Sequence, residues 1–503
     1  MRGCGRRARS RRWIASFAGI ALLGSGLATT PARAAAEPVD PAAEAANYAK
    51  QLERGRTYLT PDGVVRLAQT GVINGADALL THAADPGRLF LTNLCAWGAL
   101  ACAGDTRLGN WVTDGHGLAE PVLFTGRSGA TISGRVWATR SGPAKRPGIV
   151  ITSGSVQANE RMYWWAAQAL AKAGYVVITT DPQGQGRSDV LGAERDALDD
   201  VPSQFTGHTF FDGTQDALDF LLSTPDAPYC PAPSRSGDDH CDKQRHERNT
   251  DHNPFWNLLD PQRIGLAGHS YGAQGVSWIG QQDPRVDAVV AWDNLCDPRL
   301  PTHSLADPRE LLGMIGQSGF EDGCAEGGNG EITSLTKPAL GISNDYFLTP
   351  APFTTRPDPM ARASASKRYS EAGVDTGQLV IRGGTHFEYS YAPMPPLGAT
   401  LRGIDLAAWY TTAWFDKYVK QDPSADARLL STRWQNDAPG AAVDPNRDGN
   451  LFSYHFRSRM DVRLSDGSRF NCENLRAGCS GMTPDDGHPG YYGYLPINTS
   501  PDS

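Results

Sequence analysis

From Pro121 onward the chain alternates between two textures: short, β-branched apolar runs, and longer stretches whose apolar positions recur every three or four residues. Pro121–Thr125 and Thr131–Thr139 flank Gly126-Arg127-Ser128-Gly129, which predicts a β-hairpin. Pro147–Thr152 is an apolar strand. Glu160–Ala173 carries Trp164, Ala167, Gln168 and Ala171 at helical spacing, with Gly174 placed to cap its end. Tyr175–Thr180 reads as the next strand and Phe210–Leu222 as the next helix. The strand Arg263–Ala267, the helix Tyr271–Gln281 and the strands Val286–Trp292, Ala339–Ser343 and Gln378–Ile381 follow, and Leu401–Lys420 is a long closing helix. Strands in regular alternation with helices predict an α/β fold, a mostly parallel central sheet with helices on both faces.

The flanks read differently. Residues 35–110 hold two helical patterns, Ala42–Arg54 and Val64–Leu80, separated by a Pro61-Asp62-Gly63 turn, and form a helical N-terminal extension. Residues 111–425 read as the main α/β domain, interrupted by insertions at 225–260 and 296–335. The second insertion follows the carboxyl end of a strand, the edge where α/β proteins bind ligands, so it reads as a lid or substrate-shaping loop. Residues 426–503 are a small β-rich C-terminal extension with short strands at Asn450–His455 and Asp461–Leu464.

Charge and cysteine usage narrow the setting. Six arginines between Arg2 and Arg12, the apolar stretch Trp13–Leu27 and Ala32-Arg33-Ala34 have the layout of a signal peptide over residues 1–34, cleaved near Ala34. Its removal would take seven arginines away and shift the net charge from −8 to −15. A chain this acidic is a poor partner for nucleic acid, and no other segment is apolar for long enough to anchor it in a membrane. Eight cysteines remain in a chain expected outside the cell. They fall as neighbours, which predicts disulfides Cys95–Cys102, Cys230–Cys241, Cys296–Cys324 and Cys472–Cys479. No C-x2-C spacing suggests zinc. Asp444-Pro445-Asn446-Arg447-Asp448-Gly449-Asn450 matches half of a calcium loop, but His455 stands where a bidentate Glu is needed, so the segment reads as a polar turn and no metal is assigned.

The candidate chemistry centres on Gly268-His269-Ser270-Tyr271-Gly272, directly after an apolar strand and before a helix. Strand, Gly-x-Ser-x-Gly and helix make a nucleophile elbow, in which both glycines relieve contacts that side chains would make with the backbone. A serine hydroxyl needs a base, and the base needs an acid to hold its tautomer. His386, in Gly383-Gly384-Thr385-His386, is the expected base. Asp345, after the strand Ala339–Ser343, is the expected acid; Asp293, at the end of the preceding strand, is the alternative, and Asp297 a third choice. The backbone amides of Tyr271 and Ser155, with Val156 next to Ser155, are expected to form an oxyanion hole. His269 is expected to support packing within the elbow.

These motifs occur in a fixed order. Ile149–Thr152 leads into Ser153-Gly154-Ser155; after a helix and Ala173-Gly174-Tyr175-Val176-Val177 comes Asp181-Pro182-Gln183-Gly184-Gln185-Gly186-Arg187-Ser188-Asp189. Over roughly Val122–Gln421 the chain resembles the α/β-hydrolase superfamily. Its closing segment Ala413-Trp414-Phe415-Asp416-Lys417-Tyr418 is similar to that of dienelactone-hydrolase-like and secreted esterase or cutinase-like members. Ser153 and Gln183 stand where that family commonly has His and Arg. The resemblance implies an α/β-hydrolase fold and a secreted serine esterase, needing no cofactor, that cleaves a small-molecule or polymeric ester through an acyl-enzyme. A peptidase, an aminopeptidase or an acyltransferase uses the same triad, and a non-catalytic scaffold is a third possibility. Tyr271, Trp292, Tyr346, Phe347 and Tyr389 are candidates to line an apolar acyl or aryl site, or equally to belong to the core.

Overall fold

The hairpin foreseen from Gly126–Gly129 opens the sheet. In the computed structural model β1 (Gly117–Thr125) pairs antiparallel with β2 (Thr131–Thr139), with Thr125 opposite Thr131. The structure describes residues 61–84, 88, 95 and most of 103–300, 323–346, 364–390, 401–431 and 452–482, with short gaps in these stretches. Residues 1–60, and with them the expected signal peptide and the helix Ala42–Arg54, lie outside the described residues. So does the segment Asp444–Asn450.

Ten strands form one sheet in the order β1-β2-β4-β3-β5-β6-β7-β8-β9-β10. Six central strands are parallel: β4 (Val176–Asp181), β3 (Arg146–Thr152), β5 (Leu259–His269), β6 (Ala288–Trp292), β7 (Ala339–Tyr346) and β8 (Thr376–Thr385). An antiparallel pair borders them on each side. The central strands are buried along nearly their whole length, and their alternating side chains feed two cores. From β3, Ile149 and Ile151 enter one core and Val150 the other. From β6, Val290 and Trp292 enter the first, Val289 and Ala291 the second. Helices α2 (Trp164–Lys172) and α5 (Leu401–Tyr418) cover the first face through Trp165, Leu170, Trp409 and Trp414; α3 (His208–Leu222) and α4 (Tyr271–Gln282) cover the second through Phe210, Leu218, Val276 and Ile279.

The structure departs from the sequence reading at both flanks. Pro61 starts the helix α1 (Pro61–Ala84) instead of making a turn before it: the missing N–H of proline costs nothing in a first helical turn, where no intrahelical acceptor exists. The C-terminal strands join the main sheet. β9 (Arg459–Arg463) pairs with β8, and β10 (Arg469–Cys472) with β9, so they extend the central sheet. Within the strand expected at Asn450–His455, Phe452 forms an isolated bridge to Ile381, and Asn450, Leu451 and Tyr454 lie outside the described residues.

Disulfides join Cys230 to Cys241, Cys296 to Cys324 and Cys472 to Cys479, as the spacing suggested. Cys95 is also disulfide-bonded, and Cys102 lies outside the described residues. Among the described residues no helix is long and apolar enough to cross a membrane.

Candidate active site

β5 delivers the chain to Ser270 and α4 carries it away. The turn between them leaves no room for side chains at its glycines. A Cβ on Gly268 would lie 2.3 Å from the carbonyl oxygen of Gly272, and one on Gly272 would lie 2.4 Å from that of Thr152. Ser270 takes φ 58° and ψ −122°, a region that costs an L-residue on the order of 1–3 kcal/mol and persists only where the surroundings enforce it. They do: its amide donates to the carbonyl of Trp292 at the end of β6 (2.9 Å), and its carbonyl accepts the first α4 bond, from Gln274 (3.1 Å). The serine is half-buried at the carboxyl edge of the parallel strands.

The base candidate reaches the same edge from β8. Gly383 takes φ 64°, and a Cβ on Gly384 would meet the Asn344 side-chain oxygen at 2.8 Å, so the two glycines carry the chain around a tight corner. Thr385 then caps a short 3-10 turn, His386–Tyr389, by accepting the amide of Phe387. This turn orients His386. Its Nδ1 lies 2.7 Å from Oδ2 of Asp293, with 12% and 5% of the two side chains exposed. Donating from Nδ1 to the carboxylate leaves Nε2 as the basic nitrogen of the neutral ring.

The carboxylate beside His386 is that of Asp293, the alternative the sequence offered, and not that of Asp345. The reason is local. β7 and β8 lose register between Asn344 and Tyr346, so that Asn344 faces Ile381 but Tyr346 faces Thr385. Such a bulge re-aims the side chain within it. Asp345 turns to accept the Gly383 amide (2.7 Å) on one oxygen and the Ser453 hydroxyl on the other. Asp293 instead closes β6 with φ 46°, its amide held by the carbonyl of Ile342 (2.8 Å) and its Oδ2 approached by the Asn344 amide (3.4 Å). Among the described residues, Ser270, Asp293 and Gln421 are the non-glycine residues with positive φ; the first two belong to this site. Asp297 forms a bidentate pair with Arg299 and is not part of it.

The loop after β3 lies against the serine: a Cβ on Gly154 would be 3.0 Å from that of Ser270. The Gly154 amide donates to the Tyr163 hydroxyl (3.1 Å), and Ser155 follows it in this loop. Tyr271 opens α4, where a backbone amide has no intrahelical acceptor and the helix dipole favours negative charge. Val156 lies outside the described residues.

His269 does more than pack. It is buried, its Nδ1 is 2.8 Å from the Tyr163 hydroxyl, its Nε2 is 2.7 Å from the backbone carbonyl of His386, and its ring centroid is 4.6 Å from that of His386. Burial first, and the neighbouring His386 second, hold its pKa well below the ordinary histidine value, so it is neutral. Burial likewise pushes the Tyr163 hydroxyl far up. Tyr163, Asn344 and the supporting role of Asp345 have no sequence signal, because each depends on a contact between residues distant in the chain.

The aromatic candidates belong largely to the core. Trp292 is fully buried, with its ring parallel to those of Tyr163 and Tyr389 (centroids 6.4 and 6.3 Å away), Tyr271 stacks on Phe210, Tyr346 is buried, and Phe347 lies outside the described residues. The Asp181–Asp189 segment is structural: Asp181 is buried, accepts the amides of Glu160 (2.6 Å) and Arg187 (2.9 Å), and is pushed up to about 7 by burial and then by the charge of Glu160. Among the described residues Cys230, Asp239 and Cys241 lie close enough together to suggest a metal, but their disulfide consumes both thiols.

No protein-family model matches the chain. A stretch of 175 residues, 35% of this chain, is 27% identical to Thiohydrolase apmlB of Arthrinium phaeospermum. The match spans 43% of that protein's length.

Proposed function

We propose that this protein is a serine hydrolase of the α/β-hydrolase superfamily that cleaves carboxylic esters through an acyl-enzyme. The observation that carries the reading is the strained Ser270 at a strand-to-helix junction, next in sequence to a histidine whose ring packs on a His386–Asp293 pair. Ser270 attacks the acyl carbonyl while Nε2 of His386 takes its proton. Asp293 holds the ring and stabilises the imidazolium that forms. The amides of Tyr271 and Ser155 receive the charge that develops on the carbonyl oxygen. His386 then protonates the leaving group, and water cleaves the acyl-enzyme by the reverse sequence. The partial likeness to a thiohydrolase supports hydrolysis of an activated acyl bond and adds thioesters to the substrates worth testing. Disulfides and an acidic balance are compatible with export after cleavage near Ala34.

The test is a panel of p-nitrophenyl esters, acyl thioesters and aminoacyl anilides of graded acyl length, with Ser270→Ala as control. Turnover of the oxygen or sulfur esters that disappears in Ser270→Ala is the expected result. Turnover of the anilides alone would replace the esterase reading with a peptidase, and full activity in Ser270→Ala would remove the nucleophile.

A further inference from the structure

The directions of the hydrogen bonds around His269 follow from its partners. The backbone carbonyl of His386 can only accept, so the nitrogen facing it, Nε2, carries the proton of the neutral ring. Nδ1 is then bare and must accept from the Tyr163 hydroxyl. The Tyr163 oxygen, having given its proton to His269, accepts the Gly154 amide. One unbroken chain runs from the Gly154 amide through Tyr163 and His269 to the His386 carbonyl, and both side chains in it are buried. It begins one residue before Ser155, passes through the residue before Ser270, and ends on the backbone of His386.

We propose that Tyr163 and His269 are positioning residues: a buried relay that fixes the loop carrying the Ser155 amide against the turn carrying the base. The inference rests on the reading of Ser270 and His386 as nucleophile and base. Oxyanion donors and base must keep their spacing while the imidazole gains and loses a proton, and a misplacement of about 1 Å can cost on the order of 100-fold in rate. In this site the oxyanion loop and the base come from strands that are not neighbours, β3 and β8. The sheet alone fixes their backbones only up to the strand ends; the relay ties together the two loops that continue beyond them. Both side chains are buried, so the relay is expected to act on the transition state and not on ground-state binding.

Two measurements test this. In protein labelled with 15N-histidine, His269 is expected as the neutral tautomer with its proton on Nε2 and a hydrogen-bonded Nδ1. In Tyr163→Phe the Nδ1 resonance moves toward that of an unbonded bare nitrogen while Nε2 stays. A proton on Nδ1 in the wild type overturns the relay, and this readout needs no variant to fold. On the best ester of the panel, Tyr163→Phe should lower kcat about 10- to 100-fold with KM within about twofold. Tyr163→Phe combined with His269→Ala should lose little more than the worse single variant, because either one cuts the same chain. A kcat within twofold of wild type, or single losses that multiply in the double variant, also overturns it. Ser270→Ala separates the two levels. If it stays active, the nucleophile reading falls; if it is dead while Tyr163→Phe is unimpaired, only the relay falls.

Discussion

Asp293 and Asp345 occupy equivalent places, at the carboxyl ends of the adjacent parallel strands β6 and β7, and both are buried. One meets a titratable ring, the other a backbone amide and a hydroxyl. The difference arises from the path of the chain, not from residue type: β6 stops cleanly and turns at Asp293 with positive φ, whereas β7 is bulged at Asp345 and points its carboxylate under the Gly383 corner. A carboxylate at a strand end is therefore only a candidate acid. Both partners come from the end of β8, and the role of each carboxylate depends on whether it reaches the imidazole of His386 or the amide of Gly383.

The largest expected effect is at Asp293. Replacing it with Asn keeps the shape but no longer enforces the productive tautomer of His386, and kcat should fall by roughly 1,000- to 10,000-fold, read on the ester panel. Asp345→Asn should lose about tenfold or less in kcat while lowering the urea midpoint, since a charge-assisted bond to a buried amide is worth about 1.5–3 kcal/mol. If the two variants exchange these outcomes, the assignment of the acid reverts to Asp345. Ser453→Ala removes a neutral partner of the same carboxylate and should cost about 1 kcal/mol with nearly unchanged kcat. Its effect should not add to that of Asp345→Asn, because both break one contact.

A third buried carboxylate marks the opposite extreme. Asp181 receives two backbone amides, but burial and Glu160 dominate and raise it to about 7. A folded-state value above that of the unfolded chain means that the native protein holds this proton while the unfolded chain releases it. The stabilisation from this group is complete below about pH 4 and is lost as the pH rises through about 7. Thermal melting of Asp181→Asn across pH 4–8 should therefore show a smaller decline with pH than the wild type, a difference of a few degrees. An identical slope would mean that Asp181 is ionised throughout.

Most of the parallel core was legible in the sequence because fully buried strands leave continuous apolar runs, as at Pro147–Thr152 and Tyr175–Thr180. Ser270 and His386 were legible because tight turns demand glycines, and glycines at fixed offsets are visible. The choice between Asp293 and Asp345 was not, since a bulge between Asn344 and Tyr346 leaves no compositional trace. Nor was the placement of β9 and β10. An edge pairing is settled by which sheet margin is open, a property of the assembled fold and not of the segment. Tyr163 resembled any aromatic residue near the start of an amphipathic helix, and its partners lie 9 and 106 positions away.

The Ser453–Asp345 contact also has a consequence for the order of synthesis. A ribosome makes Ser270, then Asp293, Asp345 and His386, and Ser453 after all of them. The corner that aims the base thus receives its last clamp only when the segment around Phe452 has emerged and bridged to Ile381. A nascent chain that already contains Ser270, Asp293 and His386 still lacks this strut, so the corner reaches its full stability only after Ser453 has been added.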